Sequence, residues 1–243
     1  WTGIHQNWNY MCAECHSTDL KKGFDLASDT YRTTWAEMDV SCEACHGPGS
    51  THVEWAEAPE RDRGRYDNGH LGLEVRLTDP GRGTWLINPE TGSGLRMAPP
   101  VETQELDTCA RCHSRRSLVT EDYEFGRPSM DTHRLALLDE GLYHADGQIL
   151  DEVYVWGSFT QSKMFANDVR CSDCHDAHSL KLKFEGNDLC LQCHRADAYD
   201  TADHHFHKKI HEGRPSDGAL CVRCHMPEQP YMVIDERADH SLR

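Results

Sequence analysis

Six copies of one five-residue pattern, C-x-x-C-H, decide most of what this chain can fold into. They are Cys12/Cys15/His16, Cys42/Cys45/His46, Cys109/Cys112/His113, Cys171/Cys174/His175, Cys190/Cys193/His194 and Cys221/Cys224/His225. All 12 cysteines fall in these copies. Random placement of 12 Cys and 17 His in 243 residues would give roughly 0.04 copies. The pattern reads as covalent c-type haem attachment. The two thiols add to the two vinyl groups on one edge of the porphyrin. The two intervening residues set the reach between them, and the following His lies under the iron as an axial ligand. Two plainer readings explain less. Zinc sites use C-x-x-C pairs but need four ligands and no His after each second Cys. A disulfide framework suits an even cysteine count but leaves the six His without a reason.

Six haems over 243 residues is a dense packing, and it accounts for the composition. Only 37% of residues are hydrophobic and 8% aromatic, and the mean hydropathy is −0.73. The macrocycles are expected to replace the usual side-chain core, so that folding is coupled to cofactor attachment. The formal charge of −16 excludes a nucleic-acid binder, which needs a basic footprint. No apolar stretch approaches the ~20 residues of a transmembrane span. Thioether attachment takes place outside the cytoplasm in bacteria and archaea, which implies a periplasmic or extracellular location. The opening Trp1-Thr2-Gly3 carries no signal peptide, so the chain reads as a mature or trimmed piece.

Removing the six proximal His leaves eleven: His5, His52, His70, His133, His144, His178, His204, His205, His207, His211 and His240. Their functional role would be a second axial ligand on each iron; the plain alternative is a solvated or hydrogen-bonded surface residue. At most six are needed. His178, three residues past His175, would reach an adjacent haem rather than its own. His52 follows His46 across a Gly-Pro-Gly turn, with Ser50 or Thr51 placed to cap a helix carrying it. Residues 201–211 read as a short helix with His204, His207 and His211 on one face and His205 elsewhere. At least one of these would ligate iron, but periodicity does not choose it. The distal candidates are His52, His133, His144, His178, His205, His207 and His240. Met is the other common axial ligand. With so many spare His, the seven Met, including Met226 beside His225, are assigned to packing, and the chain is expected to be bis-His and low-potential.

The motifs begin at 12, 42, 109, 171, 190 and 221, with no fixed period. The fourth and fifth are separated by only 14 residues, 176–189, so their haems should be neighbours. Residues 79–100 are rich in Gly and Pro and read as a loop or linker. They separate a two-haem part, 1–78, from a four-haem part, 101–243. Glu102–Cys112 and Asn187–Arg195 read as short helices, and Gln148–Trp156 has strand character. The expected fold is mainly α with much irregular chain, packed on haem, with little or no β-sheet.

Several segments resemble one known group, the multihaem cytochromes that carry C-terminal tetratricopeptide repeats, related to the hydroxylamine-oxidoreductase-like cytochromes. They are Asn7 to His16, Val40 to His52, Cys109 to Ser117, Leu142 to Met164, Val169 to Ser179, His204 to His207 and Cys221 to Ser241. The resemblance implies further C-x-x-C-H motifs before residue 1 and after residue 243, and it favours His133, His144 and His240 as ligands. The repeats themselves are absent from residues 1–243. Two functions follow as expectations. The first is an electron carrier with closed bis-His irons, redox protein partners and an acidic surface that steers it to basic ones. A sharper form has copies joining head to tail into an extracellular filament. The second is a multihaem oxidoreductase acting on small nitrogen or sulfur species at one open haem. That reading needs a five-coordinate iron, and no C-x-x-C-K variant is present to mark one.

Overall fold

In the computed structural model, described here for residue 3 and residues 7–77, 84–97, 104–231 and 235–242, each C-x-x-C-H motif lies on or at the edge of one short helical segment. Trp8–Cys12 is a single π-helical turn, and Asn7 caps it by accepting the Tyr10 N–H at 3.2 Å. The second and sixth motifs form the helices Cys42–His46 and Cys221–His225. The third ends the ten-residue helix Gln104–His113. Cys171–Cys174 and Asp188–Leu191 carry the fourth and fifth. Isolated helices below ~12–15 residues are marginal in water, so these turns depend on what they are anchored to.

Between motifs the chain leaves and returns as antiparallel ribbons. Among the described residues there are seven two-stranded sheets. Ser17–Thr18 pairs with Glu37–Met38 and Phe24–Asp25 with Thr30–Tyr31, so the first two motifs are joined by one long hairpin excursion. Thr18 closes it: its Oγ1 donates to the Asp39 carbonyl at 2.9 Å and accepts the Ser41 N–H at 3.0 Å, fixing the start of Cys42–His46. His175–Asp176 pairs with Lys181–Leu182, and Glu228–Tyr231 with Asp235–Ala238. The second ribbon returns the chain so that His240 follows directly.

Helix makes up 32% and strand 19%, so short helices and irregular chain are present as expected, with more strand than "little or no β-sheet" allowed. Three local expectations are corrected. Gln148–Trp156 is not a strand: Tyr154 has φ +56°, which a strand cannot hold, and Trp156 opens the helix Trp156–Thr160. Residues 201–211 are not one helix. Ala202–His205 ends at Phe206, whose φ is +60°, and Ile210–His211 is a strand. The described part of 79–100 is a hairpin, Trp85–Ile87 with Gly94–Arg96; the remainder, like Glu102, lies outside the described residues.

The chain divides into two compact units. One comprises Trp1–Asp79, Thr103–Cys112 and Arg116–Leu135; the other comprises Pro80–Glu102, His113–Arg115 and Ala136–Arg243. This partition by contacts differs from the one drawn on composition, because 103–112 and 116–135 group with the N-terminal segment.

Neither unit builds a conventional core. Among the described residues, eight hydrophobic side chains are buried, and five of these are the small Ala13, Val75, Ala110, Val153 and Ala219. Large apolar side chains stand exposed instead, Leu180 at 91% and Phe206 at 85%. The chain exposes 16099 Å². A compact protein of this mass would expose ~11,000 Å², and two separate halves ~13,000 Å². The polypeptide alone leaves thousands of Å² of surface that a large flat apolar group would cover.

What polar burial exists is concentrated. Asp168 forms ion pairs with Arg96 at 2.9 Å and Arg170 at 2.7 Å, and Arg96 also meets Asp173 of the fourth motif at 3.2 Å. The Arg96 guanidinium lies 4.1 Å over the Trp85 ring. Asp168→Asn keeps the side-chain shape and tolerates the φ of +66° at this position. It removes the carboxylate charge that two buried guanidiniums share, although Arg96 keeps Asp173. We expect a loss of about 3 kcal/mol in stability, read as a lowered urea midpoint with an unchanged slope.

Candidate functional site

Within the first unit, the second motif is the most completely built. His46 Nδ1 donates to the Val75 carbonyl at 2.8 Å, and His52 Nδ1 donates to the Leu71 carbonyl at 2.8 Å. An imidazole that donates from Nδ1 keeps a lone pair on Nε2, the tautomer that ligates a metal. One loop supplies both carbonyls. Asp67 and Asn68 shape it: the Gly69 N–H donates to Asp67 Oδ1 at 2.8 Å, and the Asn68 side-chain amide to the Leu73 carbonyl at 2.7 Å. His52 rides on the helix Ser50–Glu57 and stacks on Trp55 at 5.5 Å. The expected cap by Ser50 or Thr51 is absent, because the helix starts at Ser50 itself. Glu43 instead accepts the Gly49 N–H at 2.7 Å. Gly72 sits at φ +77°, and a Cβ there would meet the Thr51 carbonyl oxygen at 2.7 Å and His52 Cα at 3.0 Å. Gly72→Ala is expected to cost about 1–3 kcal/mol and to loosen His52. Thermal unfolding reads the first effect, and the second appears as a change at one haem's visible band with the others unmoved.

The same unit brings the first and third attachment sites together. Cys15 Sγ lies 3.9 Å from the Cys112 carbonyl. The two thiols share a hydrogen bond that draws Cys15 down to about 6 and pushes Cys112 up. Arg111, on the third-motif helix, donates to the Ala44 carbonyl of the second motif at 3.1 Å. Glu14, inside the first motif, bonds His133 at 2.8 Å, Lys22 at 3.0 Å and Arg116 at 3.4 Å. Burial pushes the Glu14 carboxyl up, but the His133 bond and the two cations outweigh it and hold it at about 2.

Within the second unit, the fifth and sixth sites are tied likewise. Asn187, at the start of Asp188–Leu191, accepts the Cys221 N–H at 2.9 Å and donates to the Ala219 carbonyl at 2.9 Å. One side chain thus caps the sixth-motif helix from the fifth. The Cys190 and Cys221 thiols share a hydrogen bond that draws Cys221 down to about 7 and pushes Cys190 up. The 85–96 hairpin backs the fifth motif: the Arg195 N–H donates to the Gly92 carbonyl at 2.8 Å, and the Tyr199 hydroxyl bonds the Thr91 carbonyl at 2.7 Å and Ser93 Oγ at 2.9 Å. A cavity of about 310 Å³ is lined by His113, Tyr154, Val155, Arg237, Ala238 and His240.

The twelve thiols, read from the sequence as equivalent anchors, are not equivalent in the fold. Cys224 is exposed, as are Cys12 and Cys42, whereas the other nine are half-buried. In the sixth motif the difference falls within one pair. Cys221 meets Cys190, while Cys224 stands open to solvent at the end of the same short helix. The polypeptide does not enclose Cys224, so only an attached macrocycle would cover it. An uncovered free thiol would otherwise be open to oxidation.

Two histidine pairs in this unit share a geometry. The His175 and His240 ring centroids are 6.3 Å apart with planes 20° from parallel; those of His204 and His225 are 6.1 Å apart and 13° from parallel. His240 Nδ1 donates to the Ala238 carbonyl at 2.9 Å. Burial holds His113, His175, His194 and His240 below the ordinary histidine range, so they stay neutral, as axial ligands must.

The remaining distal candidates are placed differently. Both His133 nitrogens are engaged, Nδ1 with Thr132 Oγ1 and Nε2 with Glu14, each at 2.8 Å. His144 is exposed in a turn closed by Gln148. His178 sits at the tip of the 175–182 ribbon with its side chain 87% exposed. His205 Nδ1 accepts the His207 N–H at 3.2 Å, and His205 Nε2 lies 3.8 Å from Asp200. His207 is exposed beside Gly218. His5 lies outside the described residues. His204 is not among the distal candidates expected above, which take His205 and His207 from the same run; Tyr199 and the carbonyls of Leu71 and Val75 carry no signal either. The left-handed Phe206 that ends this turn has no mark in the sequence.

The residues fit covalent haem. None of the twelve thiols is paired in a disulfide. Among the described residues, no three His, Cys, Asp or Glu converge to hold a bare metal ion. Facing imidazoles and exposed apolar side chains are what a ligated, buried macrocycle needs. No described helix is long and apolar enough to cross a membrane.

Comparison with known proteins agrees. A doubled C-x-x-C-H family model matches residues 163–199, spanning the fourth and fifth motifs. The cytochrome c554 and c-prime family model matches residues 3–47, spanning the first and second. No curated protein matches the chain. The crystal structure of the outer cell wall cytochrome OcwA superposes with a TM-score of 0.54 at 19% identity, over 97% of this chain and 56% of that one. The chain therefore spans little more than half of that neighbour's length, and the likeness is one of fold. With the six motifs, the two family matches support a multihaem c-type cytochrome.

Proposed function

We propose that the chain is an exported hexahaem cytochrome that carries electrons between redox proteins. The observation that carries this reading is the contact between attachment sites: Cys15 Sγ lies 3.9 Å from the Cys112 carbonyl in one unit, and Asn187, beside the fifth site, accepts the Cys221 N–H at 2.9 Å in the other. Bound haem supplies one-electron chemistry at iron. The chain's residues hold neighbouring sites edge to edge, so electrons need no diffusing carrier within a unit. Carbonyls of Leu71, Val75 and Ala238 orient the imidazoles of His52, His46 and His240. Paired imidazoles such as His175 with His240 and His204 with His225 would hold an iron and keep substrate from it. The charge of −16 favours basic partners in a salt-dependent way. The thioether chemistry and the outer cell wall location of the structural neighbour support export. The affinity with the repeat-bearing and hydroxylamine-oxidoreductase-like cytochromes, and assembly into a filament, belong to this proposal as its finer forms.

One observation favours the oxidoreductase reading: the cavity beside His113, which Tyr154 and Arg237 line. Low-temperature EPR of the oxidised protein, quantified against haem content, separates the two. The carrier reading predicts six low-spin irons per chain, unchanged by nitrite or hydroxylamine, and a reduction rate with a basic donor that falls several-fold as salt rises. One high-spin iron that shifts on adding either molecule would replace it with the oxidoreductase reading.

A further inference from the structure

We propose that His204 is the axial partner of His225 on the sixth-motif haem, and that His240 is the axial partner of His175 on the fourth-motif haem. The proposal deepens the haem-carrier reading and rests on it. Two imidazoles that ligate one metal from opposite sides, each through a nitrogen ~2 Å from it, have ring centroids about 6 Å apart. The two pairs stand at 6.1 and 6.3 Å. One member of each pair, His225 or His175, is the histidine that its own C-x-x-C-H motif places under an iron. The other reaches it from a distant part of the chain, 21 residues earlier for His204 and 65 later for His240.

Local structure explains why these two arrive. The 228–238 ribbon returns the chain beside Pro227, where the Asp239 N–H donates to the Pro227 carbonyl at 3.1 Å. His240 Nδ1–H then donates to the Ala238 carbonyl, which leaves Nε2 with its lone pair as the ligating nitrogen. His204 is held by Tyr199. That ring stands edge-on to His194 at 5.1 Å and to His204 at 5.4 Å. Its hydroxyl is pinned by Thr91 and Ser93 of the hairpin. Tyr199 is therefore a positioning residue between two haem sites, the proximal side of the fifth and the distal side of the sixth. Phe206 at φ +60° ends the helical turn at His205; within that turn His205 lies toward Asp200 and His204 lies against His225.

The test uses the holo chain with its haem content measured first. His204→Ala and His240→Ala should each keep the wild-type number of haems and convert one low-spin iron to high-spin by EPR and magnetic circular dichroism. Added imidazole should restore the low-spin signal. His205→Ala and His207→Ala should leave the spin count unchanged. Where an alanine variant loses its haem during maturation, His204→Met supplies a replacement ligand and should raise the potential of one haem alone. The assignment is overturned if His204→Ala or His240→Ala leaves all irons low-spin, if His205→Ala produces the high-spin iron, or if His204→Met moves no potential. A wild-type chain with fewer than six haems would count against the hexahaem reading and not against the pairing, which concerns only the fourth and sixth sites.

Discussion

Two thioethers three residues apart, with an imidazole nitrogen from the next residue on the metal, fix one turn of backbone against one face of a flat apolar group. Five consecutive residues would be committed by each such attachment, and the six motifs span thirty of the 243 residues. The rest of the structure follows from satisfying these anchors. Helices need only be one to three turns long, because the covalent link supplies what length and amphipathic packing supply elsewhere. Ribbons need only return the chain to the next anchor, so they stay two-stranded. The polypeptide core stays small, with Val75 and Val153 among its largest fully buried side chains, because the flat groups take the place of large hydrophobes.

Buried charge is concentrated at the same anchors. Glu14 lies inside the first motif and Asp173 inside the fourth, and each meets cationic side chains. A buried carboxylate is costly unless paired, and here the pairs tie motif to scaffold: Glu14 to Arg116 and His133, Asp173 to Arg96 of the hairpin. Asn187 does with neutral hydrogen bonds what these clusters do with charge, holding the fifth and sixth motifs in register. The network sets which attachment motifs lie against one another within each unit.

The attachment chemistry was legible in the sequence because it is local: a thiol, a thiol and an imidazole at fixed spacing need no knowledge of the rest of the chain. The same spacing says nothing of which thiol the fold covers, so the open position of Cys224 beside the engaged Cys221 was not legible. The helix expected over Glu102–Cys112 was legible, its described part being Gln104–His113. What failed was set by backbone conformations without a residue-type signal. Tyr154 and Phe206 adopt positive φ, which side chains of their type rarely do: Tyr154 stands where the pattern would run a strand, and Phe206 ends a helical turn that the pattern would continue. The 85–96 hairpin was hidden because its Gly and Pro content reads as a loop. Gly94 is instead there to approach the fifth motif closely, since a Cβ on it would lie only 3.0 Å from the Cys193 Cβ. Distal histidines were the least legible. A distal ligand is defined by long-range return of the chain, and eleven spare His give no local reason to prefer His204 over His205.

The dependence of everything on covalent attachment is tested most directly by pyridine-haemochrome quantitation combined with denaturing intact-mass analysis of the purified chain. The account predicts six haems covalently bound to one 27.7 kDa polypeptide, with no thiol left to alkylate. Fewer than six, or alkylatable cysteines remaining in any of the six motifs of the folded protein, would contradict it.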